Sequence, residues 1–268
     1  VFEDQQLTYR ELNARANRLA RYLVGRGVGR ERGVAVWMER SVDLIVALLA
    51  VVKAGGFYVP VHEGYPAERR RFVLDDSAAV VLLTDRPEQA RVFCGGLPVV
   101  ALGVDAVGWA GLDATDLDAT DVGLPVGGDQ LVYVMYTSGS SGVPKGVGAT
   151  HRGVVGLARD GCWLGGVHER VLMHAPHAFD VSGYEVWVPL LSGGRVVLAP
   201  NEQIDGAAIR RLTGGGQVGA VHVTAGLFRV IAEGDPSCFE GVHQVLTGGD
   251  VVSATAVRRV LEACPEVT

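Results

Sequence analysis

The residues with most chemistry to offer lie at 136–146, reading YTSGSSGVPKG. Thr137, Ser138, Ser140 and Ser141 supply hydroxyls, and Lys145 supplies one positive charge. Gly139, Gly142 and Gly146 let backbone N–H groups approach a ligand closely. Hydroxyl donors, open backbone and a cation together suit a polyphosphate. The Walker spacing G-x-x-x-x-G-K-S/T is absent, because Lys145 is followed by Gly146. A flexible surface turn would carry the same Ser and Gly content.

The elements that must position this loop are of α/β type. Leu131, Val132, Tyr133, Val134 and Met135 form an apolar run that predicts a buried strand feeding the loop. Upstream, Thr8 and Glu11 have capping-box spacing before Leu12, Ala16, Leu19 and Leu23, which recur at helical intervals. Strands are predicted over 33–38, 57–61, 80–84 and 99–102, with helices capped by Ser41 and started at Pro66. Downstream, strands are predicted over 171–174, 195–199, 220–223 and 244–247, again alternating with helices. Such alternation predicts two stacked βα lobes with largely parallel sheets. Residues 103–129 change character, and LDATD occurs twice in tandem at 112–121. Two copies are too few for a solenoid. The expected organisation is therefore a first α/β part over 1–102, an exposed acidic linker over 103–129, and a second α/β part over 130–268.

Composition narrows the function. With 268 residues, 48% hydrophobic and 20% charged, the chain can bury a substantial core. A net charge of −6 argues against nucleic acid as a partner. The four cysteines lack C-x-x-C spacing, so neither a zinc site nor a disulfide framework is expected, and a reducing cytoplasm fits. The apolar run at 44–52 is too short to cross a membrane, and no signal peptide opens the chain. The opening VFED, without an initiator Met, and the stop after Thr268 suggest a piece of a longer polypeptide.

Residues 136–146 resemble the phosphate-binding loop of the adenylate-forming enzymes (adenylation domains, acyl-CoA synthetases, luciferases), whose pattern is roughly YTSG(S/T)TGxPKG. LTYRELNARANRLARYL resembles the first core motif of that family and VVKAGGFYVPVHEGYPAERR the second. His62 stands where the second motif usually has Asp, and is expected to be a solvated loop residue. FDVS at 179–182 resembles the fourth core motif of nonribosomal peptide synthetase adenylation domains. The resemblance implies the truncated N-terminal part of the adenylate-forming fold. It also implies an ATP-dependent ligase that converts an amino acid to its aminoacyl-adenylate and pyrophosphate, then loads a carrier-protein phosphopantetheine thiol.

Site residues carry over position by position. Thr137 and Lys145 take the catalytic roles, holding ATP phosphates with Ser138, Gly139, Ser140, Ser141 and Gly142. Asp180 would meet the substrate ammonium, since burying that cation without a carboxylate is costly. An N-cap role for Asp180 is the alternative. Phe179, Val181, Tyr184, His222, Leu246 and Gly248 would line the side-chain pocket, which suits an aromatic amino acid such as 4-hydroxyphenylglycine. A core histidine is an equal alternative for His222. TGGD at 247–250 resembles the segment beside the adenine, placing Gly248, Gly249 and Asp250 there, with a simple cap as the alternative for Asp250. Mg²⁺ is expected to be held by a Glu of a YGPTE motif beyond Thr268, so no metal ligand is assigned within the chain, and residues 1–268 alone are expected to form little adenylate. Expected partners are carrier and condensation domains and a small MbtH-like protein. An acyl- or aryl-CoA ligase of the same superfamily remains open, as does a non-catalytic nucleotide-binding or interaction module.

Overall fold

A computed structural model describes residues 1–123, 127–138, 142–202 and 204–268. The chain forms two compact units: one comprises Gln5–Val155 with Pro176–Asp180, the other Val1–Asp4, Gly156–Ala175 and Val181–Thr268. Both have mixed α/β architecture with mostly parallel sheets, as the strand–helix alternation predicts.

The first unit runs α1 (Tyr9–Val24), β1 (Gly33–Trp37), α2 (Val42–Lys53), β2 (Phe57–Pro60), α3 (Ala67–Asp76), β3 (Val81–Thr84), α4 (Pro87–Ala90), β4 (Val99–Ala101), α5 (Val107–Ala110), β5 (Leu131–Thr137) and β6 (Lys145–Thr150). Its strands align in the order β4-β3-β1-β2-β5-β6. All neighbours are parallel except β5 and β6, which form an antiparallel hairpin at the edge. The capping box at the start of α1 is formed in full, with the Thr8 side chain accepting from the Glu11 N–H and Glu11 accepting from the Thr8 N–H. Every residue of β1, β2 and β3 is buried, the expected state of a parallel sheet covered on both faces.

Two expectations about domain organisation are corrected. The strand β5, assigned to the second part, belongs with β1–β4, because β2 presents it a parallel edge through Tyr58 and Tyr133. Nor are the described residues of the expected exposed acidic linker, 103–123 and 127–129, an unattached connection. Asp116 accepts hydrogen bonds from Asn13 (2.8 Å) and Asn17 (3.0 Å) and pairs with Lys53 at 3.0 Å. Arg21 donates to the Thr115 carbonyl and pairs with Asp121 at 3.2 Å. The tandem LDATD explains this strap. In each copy the first Asp closes a turn on its own Thr (Asp113–Thr115, Asp118–Thr120), and the second Asp turns to a cation or amide on α1. Hydrogen bonds from Asn13 and Asn17 and the Lys53 ammonium hold the Asp116 carboxyl well below its usual range.

The helix α6 (His151–Ala158) leads into the second unit, which continues β7 (Arg170–Met173), α7 (Val181–Leu191), β8 (Arg195–Leu198), α8 (Gly206–Thr213), β9 (Ala220–Thr224), α9 (Ala225–Gly234), β10 (Gln244–Gly248) and α10 (Ala254–Ala263). Its parallel sheet has the order β10-β9-β7-β8. Side chains alternate across it. Val221 and Val223 of β9 join a core with Ile209, Phe228 and Val260 from α8, α9 and α10. Ala220 packs in a separate cluster, with Tyr184 and Val188 of α7.

Candidate functional site

The hairpin β5–β6 carries the predicted phosphate loop. Its last cross-strand pair is Thr137 with Lys145, so the two residues given catalytic roles stand opposite one another where the loop leaves the sheet. Thr137, Ser138, Gly142 and Lys145 are exposed. Gly142 has φ +80°, in the left-handed region. Gly139, Ser140 and Ser141 lie outside the described residues. The sequence did not signal β6, which is glycine-rich and mostly exposed.

The glycines of β6 serve packing. A Cβ on Gly146 would stand 2.9 Å from Val134 Cγ1 and 3.3 Å from Tyr136 Cζ; one on Gly148 would stand 2.7 Å from Leu131 Cδ2. Gly146 also has an internal role: side chains of β5 fold across the space that residue 146 leaves empty. Tyr136 fixes the base of the hairpin, its buried hydroxyl donating to Asp76 Oδ2 at 2.6 Å. Burial first, and the Asp76 carboxylate second, push that phenol far above its ordinary pKa. The strands that flank the loop are thus closely packed and tied to Asp76.

The segment Pro176–Asp180 belongs to this same unit. His177 anchors it through a 3.1 Å bond between Nε2 and the Val36 carbonyl of β1. Burial pushes the His177 imidazole down to about 4. Next along, Phe179 meets His62 edge-on at 5.6 Å. His62 is not the solvated residue expected: its Nδ1 accepts from the Gly64 N–H, and its ring packs on Tyr65 and Phe179. Asp180 is exposed, and its charge helps to raise the Tyr133 phenol, after the larger effect of burial. Tyr133 precedes Thr137 on β5 by four residues, about 13 Å of strand. The Asp180 charge thus acts on the strand that leads to Thr137.

Between Asp180 and Val181 the chain passes into the second unit. There Val181, Tyr184 and Leu246 join one apolar cluster with Val171 and Ala220. His222 and Leu246 are register partners on β9 and β10, and strand alternation places Ala220, His222, Leu246 and Gly248 on one face. A Cβ at Gly248 would meet nothing within 4 Å, so that position borders open space. The same holds at Gly249, whose φ of +83° favours glycine. Asp250 is exposed and accepts from the Val251 N–H. It does not cap α10; Ser253 does, accepting from Ala256.

The expected polar lining changes in two respects. The Tyr184 hydroxyl is bonded to His168 Nδ1 at 2.9 Å, inside a ring cluster with Trp163. Burial raises that phenol strongly, so it stays neutral and internal. Conversely, the sequence reading gave no role to His174 or Glu185. Glu185 is fully buried, accepts from the Ala175 N–H at 3.1 Å and stands 4.0 Å from His174 Nε2. His174 Nε2 also contacts the carbonyl of His222. A carboxylate within the apolar run of α7, about one turn from Val181 and Val188, was the legible signal.

Among the described residues, His174, Glu185 and His222 form the group whose possible ligand atoms lie within 4.8 Å of one another. Two imidazoles and one carboxylate make a poor set for Mg²⁺, which prefers oxygen ligands in octahedral geometry. That trio does not fit the expected ion, and no chemical step is assigned to it.

The described residues include no helix long and apolar enough to cross a membrane. The family described as AMP-binding enzyme matches residues 1–268. Among curated relatives, tyrocidine synthase 3 of Brevibacillus parabrevis is 36% identical over 270 residues, covering 98% of this chain and 4% of that protein. This chain thus spans a small part of the relatives that it matches. Two solved structures, each 28% identical with a TM-score of 0.86, share its fold. One is holo-PA1221, an NRPS protein containing adenylation and PCP domains bound to a vinylsulfonamide inhibitor (99% of this chain, 44% of that one). The other is the Klebsiella oxytoca NpsA N-terminal subdomain in complex with 3-hydroxybenzoyl-AMSN (100% and 66%). Over its whole length the chain belongs to the AMP-binding enzyme family, and its fold is that of the N-terminal subdomain of nonribosomal peptide synthetase adenylation domains.

Proposed function

We propose that the chain supplies the ATP- and substrate-binding core of an amino-acid-activating adenylation domain. The reaction is attack of a substrate carboxylate on the α-phosphorus of ATP, giving aminoacyl-adenylate and pyrophosphate. The observation that supports the reading is that the Asp180 charge reaches Tyr133 of β5, the strand that ends in the Thr137–Lys145 mouth of the loop. A ligand joined through its carboxylate to a phosphate has its amine a few bonds away, so an anion and a phosphate-binding loop are needed at opposite ends of one short path. Lys145 and the hydroxyls of Thr137 and Ser138 offset phosphate charge, and the loop backbone supplies N–H donors. Asp180 receives the α-ammonium.

Val181, His222, Leu246 and Gly248 line the side-chain pocket in this reading. Open space at Gly248 and one imidazole favour an aromatic side chain with a polar tip, such as 4-hydroxyphenylglycine. The product passes to a phosphopantetheine thiol on a carrier domain; the relative that contains adenylation and PCP domains supports that pairing. A condensation domain and an MbtH-like protein complete the proposed assembly.

The test is binding, read by calorimetry on residues 1–268. A non-hydrolysable 4-hydroxyphenylglycyl-adenylate analogue should bind, and Asp180→Asn should weaken it about a hundredfold, the effect of about 3 kcal/mol for a stranded cation. The analogue lacking the amine should bind the two proteins equally. If the amine-free analogue binds the unaltered protein better, the amino-acid assignment fails and an acyl- or aryl-acid substrate replaces it.

A further inference from the structure

A pocket of about 450 Å³ in the first unit is not used by the proposed reaction; Trp37, Glu63, Arg70, Arg86, Gln89 and Phe93 are among its lining residues. Its floor is Trp37, only 2% exposed. Two guanidiniums lie against that indole, Arg86 at 4.5 Å and Arg70 at 5.0 Å from the ring centroid, and Arg70 also lies 5.2 Å from Phe93. Stacking on aromatic faces holds both cations in place without saturating their donors. Arg86 pairs with Glu39 (3.3 Å) and Glu63 (3.4 Å) through Nη1 and with Asp85 through Nε. Arg70 donates to the Glu63 carbonyl. Arg86 Nη2, Arg70 Nε and Trp37 Nε1 are all buried and have no acceptor.

Three buried donors around one pocket are costly to leave unpaired, because each has lost water without gaining a partner. Two like charges face each other as well: after burial, the Arg86 charge is the next cause lowering the Arg70 pKa. The Glu63 carboxylate offsets them from the rim, and its side chain is 61% exposed. An oxyanion in the pocket would supply the missing acceptors after a small rotation of either guanidinium. Two arginines face three carboxylates (Glu63, Glu39 and Asp85), one negative charge in excess. The three unpaired donors rather than net charge therefore draw the oxyanion, and a monoanion adds less repulsion than a phosphate dianion.

We propose that this pocket binds a small aromatic monocarboxylate, its oxygens bridging Arg70 and Arg86 and its ring lying against Phe93. The site is separate from the loop and Asp180, and does not depend on the activity proposed above.

The probe is sodium benzoate, added to ¹⁵N-labelled residues 1–268 and followed by NMR at the Trp37 indole N–H, assigned through Trp37→Phe. Benzoate should shift that resonance in a saturable manner, with acetate and inorganic phosphate each binding at least about tenfold more weakly. Arg86→Gln should weaken benzoate about tenfold or more, the effect expected for a lost charged hydrogen bond. Glu63→Gln, which removes the internal competitor and lies on the exposed rim, should tighten it several-fold. An indole resonance that benzoate leaves unmoved overturns the proposal, as does benzoate binding that Arg86→Gln leaves unchanged. Phosphate or acetate binding as tightly as benzoate overturns the assigned ligand class. Should Arg86→Gln unfold, Glu63→Gln decides: unchanged or weaker benzoate binding sinks the assignment.

Discussion

The polar groups around the two candidate regions, the loop hairpin and the α7–β9 face, are placed in opposite ways. In the first, the groups suited to phosphate stand in solvent: Thr137, Ser138, Gly142 and Lys145 are all exposed, and the precision lies beneath them, in Tyr136 and the closely packed glycines of β6. In the second, the polar groups are drawn inward: Glu185 is fully buried, His174 is 10% exposed, and Tyr184 is closed off by His168. The difference fits the roles proposed for the two regions, phosphate binding in the first and side-chain recognition in the second. A polyphosphate arrives hydrated and needs donors that water can reach and leave. A side-chain pocket must discriminate between uncharged shapes, which depends on fixed walls and few, well-held polar atoms.

This contrast predicts where stability and binding separate. Glu185→Ala removes a buried carboxylate, strands the Ala175 N–H and leaves His174 without its neighbour, so it should cost about 3–5 kcal/mol in urea unfolding. Lys145→Ala touches an exposed residue and should change stability by no more than about 0.5 kcal/mol while weakening nucleotide binding. If the two variants lose similar stability, the distinction between an exposed and an internal polar site collapses.

His177 tests the frame of the first unit at a buried titratable point. Its pKa is depressed from 6.5 to about 4 by burial, so the unfolded chain binds the proton more readily than the folded one. The stability that depends on neutral His177 is present in full above pH 6.5 and is lost as pH falls towards 4, by about 3 kcal/mol at most. Urea midpoints measured from pH 7 to pH 4.5 should fall, and His177→Gln should flatten that slope. An equal slope in both proteins would assign the pH dependence to other groups.

What was legible is local. The capping box at Thr8 and Glu11 and the strand that runs into Thr137 are read from spacing within a dozen residues. What escaped depends on distant partners. The strand β6 has no alternation to betray it, since residues 145–148 are all exposed and its glycines are explained only by Leu131, Val134 and Tyr136 across the hairpin. The acidic segment looked like a linker because its acceptors are visible in sequence while their donors, on α1 and α2, lie about 100 and 63 residues away. Tyr184 looked available because His168 comes from a short turn with no signal of its own. Backbone pairing and side-chain satisfaction are both non-local, and a linear pattern carries neither.

The smallest expected effect on stability gives the sharpest form of the comparison, through one glycine in each unit. Both sit in strands and neither has a positive φ, so alanine is conformationally allowed at each. At Gly146 the new methyl would press on Val134 and Tyr136, at 2.9 and 3.3 Å, and overpacking of that kind costs about 1–3 kcal/mol. At Gly248 it would enter open space and should alter stability by less than about 0.5 kcal/mol. The binding effects should run differently. Gly248→Ala places a methyl where the proposed aromatic side chain lies, so analogues with large side chains should lose affinity while an alanyl analogue is spared. Gly146→Ala should weaken both analogues equally, because it disturbs the loop common to every substrate. Calorimetry of two analogues against two variants reads the four values directly. Selectivity that shifts at Gly146 and stays constant at Gly248 would reverse the division between phosphate frame and side-chain pocket.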